Sequence, residues 1–208
     1  MKSPIVISYY TESTIYEQEA DGLRRSAIRF GLDYDIVPKP DMGGRKRNRY
    51  YKAQFVLEML DKYPKRSVLW IDADADIIQY PTLFDNAKED IGVFIVDWAS
   101  LPGSICTRLW GTKPLTGIDL LSGTAYFANN TRSRAVVNAW VEMNKKNFDT
   151  TELEQINLHR VLKAWKGPLT IMYLPPSYCQ IFDIMAHLGE PVIEHYQAGR
   201  RPIEGINL

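Results

Sequence analysis

Cysteine is scarce in this chain: Cys106 and Cys179 are the only two among 208 residues, and no Cys-x-x-Cys spacing links them. That excludes a zinc knuckle and a disulfide framework, and makes a reducing cytosol the expected location. Long hydrophobic runs are missing too. The amino-terminal stretch "MKSPIVISYYTEST" has an apolar run of only a few residues before Thr and Glu, too short for a signal peptide or a membrane span, and no other segment approaches membrane length. Neither sign of charge is in excess, since 25 Lys plus Arg balance 25 Asp plus Glu. No global field then draws the chain to nucleic acid or to an anionic membrane, and any charge-based recognition must be local. Repeats, low-complexity tracts and Gly/Ser linkers are absent as well. With 45% hydrophobic residues the chain can bury one sizeable core, so a single domain over residues 1–208 is expected.

The patterns that are present alternate between strand and helix. "PIVISYY" reads as a buried strand, and Tyr16, Ala20, Leu23, Ala27 and Phe30 then recur at helical spacing until Gly31 closes the helix. "DYDIV" is the next strand. "GGRKRNR", residues 43 to 49, reads as a flexible basic loop. A second helix over 50–63 follows, with Phe55, Val56, Met59, Leu60 and Tyr63 inward, and Pro64 ends it before strand "SVLWI". "IGVFIV" and "GTAYFAN" read as further strands, with a helix over 132–146 after the second. Asp149 and Glu152 suggest a capping box for a helix running to about Trp165. Strands and helices in this order predict an α/β fold with a parallel sheet, Rossmann-like in its first half.

One stretch, "VLWIDADADIIQYP", puts Asp72, Asp74 and Asp76 at alternate positions directly after an apolar strand. In an open parallel sheet, ligands gather outside the carboxyl ends of the strands. If the backbone stays extended, the three carboxylates share one face, where their repulsion calls for a cation. Oxygen ligands suit Mg²⁺ or Mn²⁺, and such an ion keeps positions for substrate phosphates, which points to a nucleotide or a sugar nucleotide. The plain alternative is an ordinary solvated loop.

In this context "LWIDADADI" resembles the Asp-x-Asp motif ("YLDADTLV") of the GT-A glycosyltransferases, and within them of the retaining glycosyltransferase family 8, the glycogenin-like and lipopolysaccharide galactosyltransferase-like enzymes. The resemblance implies a mixed, mostly parallel GT-A sheet flanked by helices, with Asp72 and Asp74 as metal ligands and Asp76 extra. "LLSGTAYFANNTRSR" resembles the family's "FNAGVLLIN" segment and implies Ser122 and Gly123 near the donor sugar. "LEQINLHRVL" resembles "DQDxLN" and implies Glu154 and Gln155 as the polar pair on the sugar side, with attack on the same face beside Gln155. "HYQAGRRP" resembles "HxxGxxKP". It implies His195 as the third metal ligand, with Gly199, Arg200 and Arg201 at the diphosphate.

His195, at the end of "PVIEHY", has an alternative as a partly exposed residue of an edge strand, and His159 and His187 carry no functional context. Tyr9, Tyr10 and Thr11 end the first strand, where GT-A proteins hold the nucleotide base; stacking and a Thr hydrogen bond stand there beside a plain core role. Lys52 either meets the diphosphate or is a solvated helix residue. Function is therefore expected to be metal-dependent transfer of a sugar from a nucleoside-diphosphate sugar to a hydroxyl acceptor, and the resemblance implies retention and a UDP-linked donor. The acceptor is a saccharide, a protein or a hydroxymethylated base in phage-like DNA, and the basic loop either closes over the donor or grips a polyanionic acceptor. A phosphatase of the haloacid dehalogenase type is the rival enzyme, because it also carries Asp-x-Asp after an apolar strand. A sugar-nucleotide-binding module without turnover is the non-catalytic rival.

Overall fold

Strand β1 (Ile5–Thr11) is buried along nearly its whole length, as a strand covered on both faces must be. It pairs in parallel with β2 (Tyr34–Lys39) on one side and β3 (Val68–Ile71) on the other. The computed structural model describes residues 3–100, 117–150 and 152–197. Beyond β3 the chain forms β4 (Ala75–Ile77), β5 (Ile91–Asp97), β6 (Ile118–Phe127), β7 (Ile171–Tyr173), β8 (Gln180–Ile181) and β9 (Ile193–His195). The large sheet has the order β2-β1-β3-β6-β5-β7, and β4-β9-β8 make a second, smaller one. Three of the five pairings in the large sheet are parallel; β6 alone runs against its neighbours β3 and β5. The sheet is thus mixed and mostly parallel.

Period-two alternation along β1 sends Val6 and Tyr10 into a core beneath helix α1 (Ile15–Arg29), and Ile5, Ile7 and Tyr9 into a second core on the opposite face. That second core lies against α2 (Arg45–Lys62), α3 (Thr131–Lys146) and α4 (Glu154–Ala164). Phe55 on α2 and Trp140 on α3 are fully buried in it, and withdrawing a side chain such as Phe55 from water contributes about 2 kcal/mol. No helix among the described residues is long and apolar enough to cross a membrane.

Two sequence expectations are corrected here. The basic run is not a flexible loop, because α2 begins at Arg45. Gly43 and Gly44 take positive φ angles of 102° and 101° in the turn, and the Asp41 carboxylate accepts from both of their N–H groups and from the Asn48 amide at 2.8–3.1 Å. Lys46 donates to the carbonyls of Phe148 and Thr150. Anchored at both points, a run of Arg and Lys follows its good helix propensity. The expected capping box does not form either. Leu153 is the N-cap of α4 and supplies no side-chain bond, while Glu152 pairs with Arg160. Pro38 falls inside β2, which tolerates it as an edge strand.

Candidate active site

The site forms where β3 ends. Asp72 donates its N–H to the Gly123 carbonyl at 2.8 Å, the chain turns through residues 73 and 74, and β4 starts at Ala75. Strand β4 pairs with β9, Ala75 opposite His195, and the Asp74 carbonyl accepts from the Tyr196 N–H at 2.9 Å. This pairing carries His195 to the two aspartates. One ligand atom each from Asp72, Asp74 and His195 lie within 4.8 Å of one another. Because of the turn, Asp76 does not share their face, as continued extension predicted. Its carboxylate lies against Gly22 of α1, where an added Cβ would stand 2.5 Å from Oδ1.

His195 is no edge residue. Strand β9 is the middle of its sheet and His195 is 4% exposed. Nε2 lies 2.9 Å from Thr124 Oγ1, and a Cβ on Gly123 would stand 2.8 Å from Cε1, so glycine at 123 makes room for the ring. Burial pushes the His195 pKa down to about 4, and the Lys52 charge adds to this against the opposing pull of Asp72. At neutral pH the ring is uncharged, the form in which it ligates a metal.

Lys52 is not a solvated helix residue. It is 5% exposed, and its Nζ sits 2.8 Å from Asp72 Oδ1, 3.0 Å from Glu154 Oε1 and 3.0 Å from Ser122 Oγ. Burial opposes its charge, but the carboxylates of Asp72 and Glu154 outweigh burial and raise its pKa. Ser122 Oγ in turn donates to Glu154 Oε1 at 2.7 Å, and Glu154 is held through its carbonyl by the Trp140 indole at 2.8 Å. Gln155 follows on the first turn of α4, half-buried. Asp72 Oδ1 accepts from both Trp70 Nε1 and Lys52 Nζ, each at 2.8 Å, which leaves Oδ2 for a cation.

Two carboxylates and one neutral imidazole can hold a divalent cation. Asp72 follows the end of β3, Asp74 lies in the turn and His195 ends β9, with backbone bonds from the Asp72 N–H to Gly123 and from the Tyr196 N–H to the Asp74 carbonyl bracing the group.

Other expected residues fall differently. Tyr9 and Tyr10 take the core alternative. The Tyr9 ring is closed in by Phe55, Trp70 and Tyr51, with centroids 5.0–5.4 Å away, and its hydroxyl donates to the Asn48 carbonyl. Tyr10 is buried on the other face, with the Arg24 guanidinium 5.0 Å from its ring. Thr11 sits at the strand end and accepts from Asn48 Nδ2 at 3.2 Å. Gly199, Arg200 and Arg201 lie outside the described residues. His159 and His187 stand apart from the metal-ligand group.

Two neighbours went unnoticed in the sequence. Thr124 looks like any strand residue, and only the fold brings it to His195. Tyr16, assigned to the inward face of α1, is half-buried close to Asp74; its position on the first turn after β1 was the available signal.

No protein-family model and no curated protein sequence matches the chain. Solved structures do. A glycosyltransferase involved in the glycosylation of the major capsid of PBCV-1 superposes with a TM-score of 0.65 at 14% identity, over 94% of this chain and 93% of that one. The glycosyltransferase GlyE of Streptococcus pneumoniae TIGR4 gives 0.59 at 15% identity, and this chain spans 58% of its length. The galactosyltransferase LgtC, in complex with donor and acceptor sugar analogs, gives 0.55 at 9% identity, over 94% of this chain and 87% of that one. With an Asp-x-Asp turn at the end of β3 and a mixed, mostly parallel sheet between helices, the chain has the GT-A fold that these glycosyltransferases share.

Proposed function

We propose that the chain is a metal-dependent glycosyltransferase that moves a sugar from a nucleoside-diphosphate sugar to a hydroxyl acceptor. The observation that carries this reading is the approach of Asp72, Asp74 and His195 within 4.8 Å at a strand end of a fold shared with glycosyltransferases. A bound Mn²⁺ or Mg²⁺ would neutralise the diphosphate as it leaves. Asp72 and Asp74 supply oxygen ligands, and His195 supplies a neutral nitrogen. Lys52 holds Asp72 in place and ties it to Glu154 and Ser122, so the carboxylate wall on the sugar side is set before donor arrives. Gln155, next to Glu154, is assigned to the sugar face at which a retaining transfer takes place.

A UDP-linked donor follows from the family resemblance, and the neighbour involved in the glycosylation of a major capsid suggests a protein or the glycan on it as acceptor. Saccharide and hydroxymethylated DNA stay as the alternatives. The proposal includes a single domain over residues 1–208 and a reducing cytosol. The phosphatase rival normally carries its motif near the amino terminus and a Thr where Asp76 stands.

A panel of nucleotide sugars, incubated with Mn²⁺ or with EDTA and assayed for released nucleoside diphosphate, tests the reading. Release from one donor, dependent on Mn²⁺ and lost in Asp74→Asn, supports it. Phosphate release from a phosphate monoester with no nucleotide sugar present would replace it by the phosphatase, and donor binding without turnover by the binding module.

A further inference from the structure

Along α2, Arg45, Arg49, Lys52 and Val56 succeed one another at intervals of four, three and four residues, which places them on one stripe of the helix. The deep end of that stripe is pinned. Val56 is fully buried, and Lys52 Nζ is 2.8 Å from Asp72 Oδ1. At about 1.5 Å of rise per residue, Arg49 stands about 4.5 Å and Arg45 about 10 Å further towards the amino end of the helix. That end faces the mouth of the site, because α2 enters from the carboxyl end of β2.

Neighbouring cations on the helix are occupied elsewhere. Lys46 donates to Phe148 and Thr150, and the Arg47 guanidinium lies 5.2 Å from the Phe148 ring. Among the described residues, Arg45 and Arg49 form no ion pair. Both lie near Tyr16, whose phenol is pushed up by burial and by Asp74 and pushed back down by the two guanidinium charges.

Charge counting indicates what belongs beside these arginines. Asp72, Asp74 and Glu154 against Lys52 leave the site with two negative charges, three minus one. A divalent ion cancels those and nothing more. The sugar-linked diphosphate brings about two further negative charges into a cleft of reduced dielectric. Among the described residues, Arg45 and Arg49 supply a matching pair, and each guanidinium presents a planar fork suited to phosphate oxygens.

We propose that Arg45 and Arg49 bind the diphosphate of the donor nucleotide, as a second cationic grip beside the divalent ion. The inference rests on the glycosyltransferase reading above and deepens it. It assigns the outer part of the basic run to the donor, and it divides that run into two arginines that touch ligand and two cations, Lys46 and Arg47, that hold the helix to the end of α3.

Isothermal titration of ADP, CDP, GDP and UDP, and of the parent nucleosides, into the wild type with saturating Mn²⁺ at low salt is the test. The variants are Arg45→Ala, Arg49→Ala, the double variant and Arg47→Ala, with melting curves as the check on folding. The preferred nucleotide should bind about tenfold more weakly to each single variant and about a hundredfold more weakly to the double. Nucleoside binding and the Arg47→Ala variant should be unchanged. Wild-type affinity for the diphosphate in a folded double variant overturns the assignment. So does an equal loss for the nucleoside, which would move the arginines to the base. If the wild type binds none of the four diphosphates with Mn²⁺, the glycosyltransferase reading itself fails, and that failure is distinct from the other two.

Discussion

Thr124 Oγ1 lies 2.9 Å from His195 Nε2, and both residues are almost wholly withdrawn from water. A hydrogen bond at one ring nitrogen fixes the tautomer and the orientation of the ring. Replacing Thr124 by Val keeps the shape and removes the bond. We expect Mn²⁺ affinity, read by the free-ion signal in electron paramagnetic resonance, to fall about tenfold, and Thr124→Ser to restore it. Unchanged affinity in Thr124→Val would reduce the contact to packing.

Gly123→Ala addresses the same ring from the other side. The new methyl group would stand 2.8 Å from His195 Cε1 and 3.0 Å from Nδ1. Strain of about 1–3 kcal/mol should appear in urea unfolding, because β6 is held by ladders on both sides and the ring must move instead. Metal binding should be lost with it. A variant that binds Mn²⁺ like the wild type shows that the imidazole has room to swing.

Lys52→Met leaves the carboxylates of Asp72 and Glu154 without the ammonium between them. Removing one member of a buried ionic group costs about 3–5 kcal/mol. Adding Glu154→Gln should recover part of this, since it takes away one of the two stranded charges. Chemical denaturation of both variants measures it, and additive losses would show that Lys52 and Glu154 do not share an interaction.

His195 also sets a pH dependence for the metal-free protein. Its folded pKa is pushed below the unfolded value to about 4. The unfolded chain therefore binds the proton first, so the contribution is present above the unfolded value of about 6.5 and is lost as pH falls towards 4. From the size of the shift, that loss is about 3 kcal/mol. Melting temperatures across this window should fall less steeply in His195→Asn. Equal slopes would mean that another group carries the acid sensitivity.

Strand and helix order through β3 was legible because period-two and 3.6-residue patterns are local, and Asp72 and Asp74 stood out because carboxylates end an apolar strand. The direction of Asp76 was not, because a turn at residues 73 and 74 breaks the extension on which the alternation argument relied. Lys52 was ambiguous for a different reason. A charged helix position normally faces water, and only the tertiary neighbours Asp72, Glu154 and Ser122 reveal that it is buried. Basic residues 45 to 49 read as loop because they lack an apolar stripe; carbonyls of Phe148 and Thr150, distant in sequence, hold them in a helix. Thr124 required the β6–β9 approach, which no local pattern encodes.

The pairing of β4 with β9 joins Asp74 and His195 across most of the chain. Contacts so distant in sequence form late, because loop-closure entropy must be overcome before they gain anything. A nascent chain that has emerged from the ribosome only as far as β6 holds both aspartates but no histidine. Full-strength binding of an ion there would thus report that the last strand of the small sheet has docked, and a cation would stabilise that final stitch over any earlier, open form.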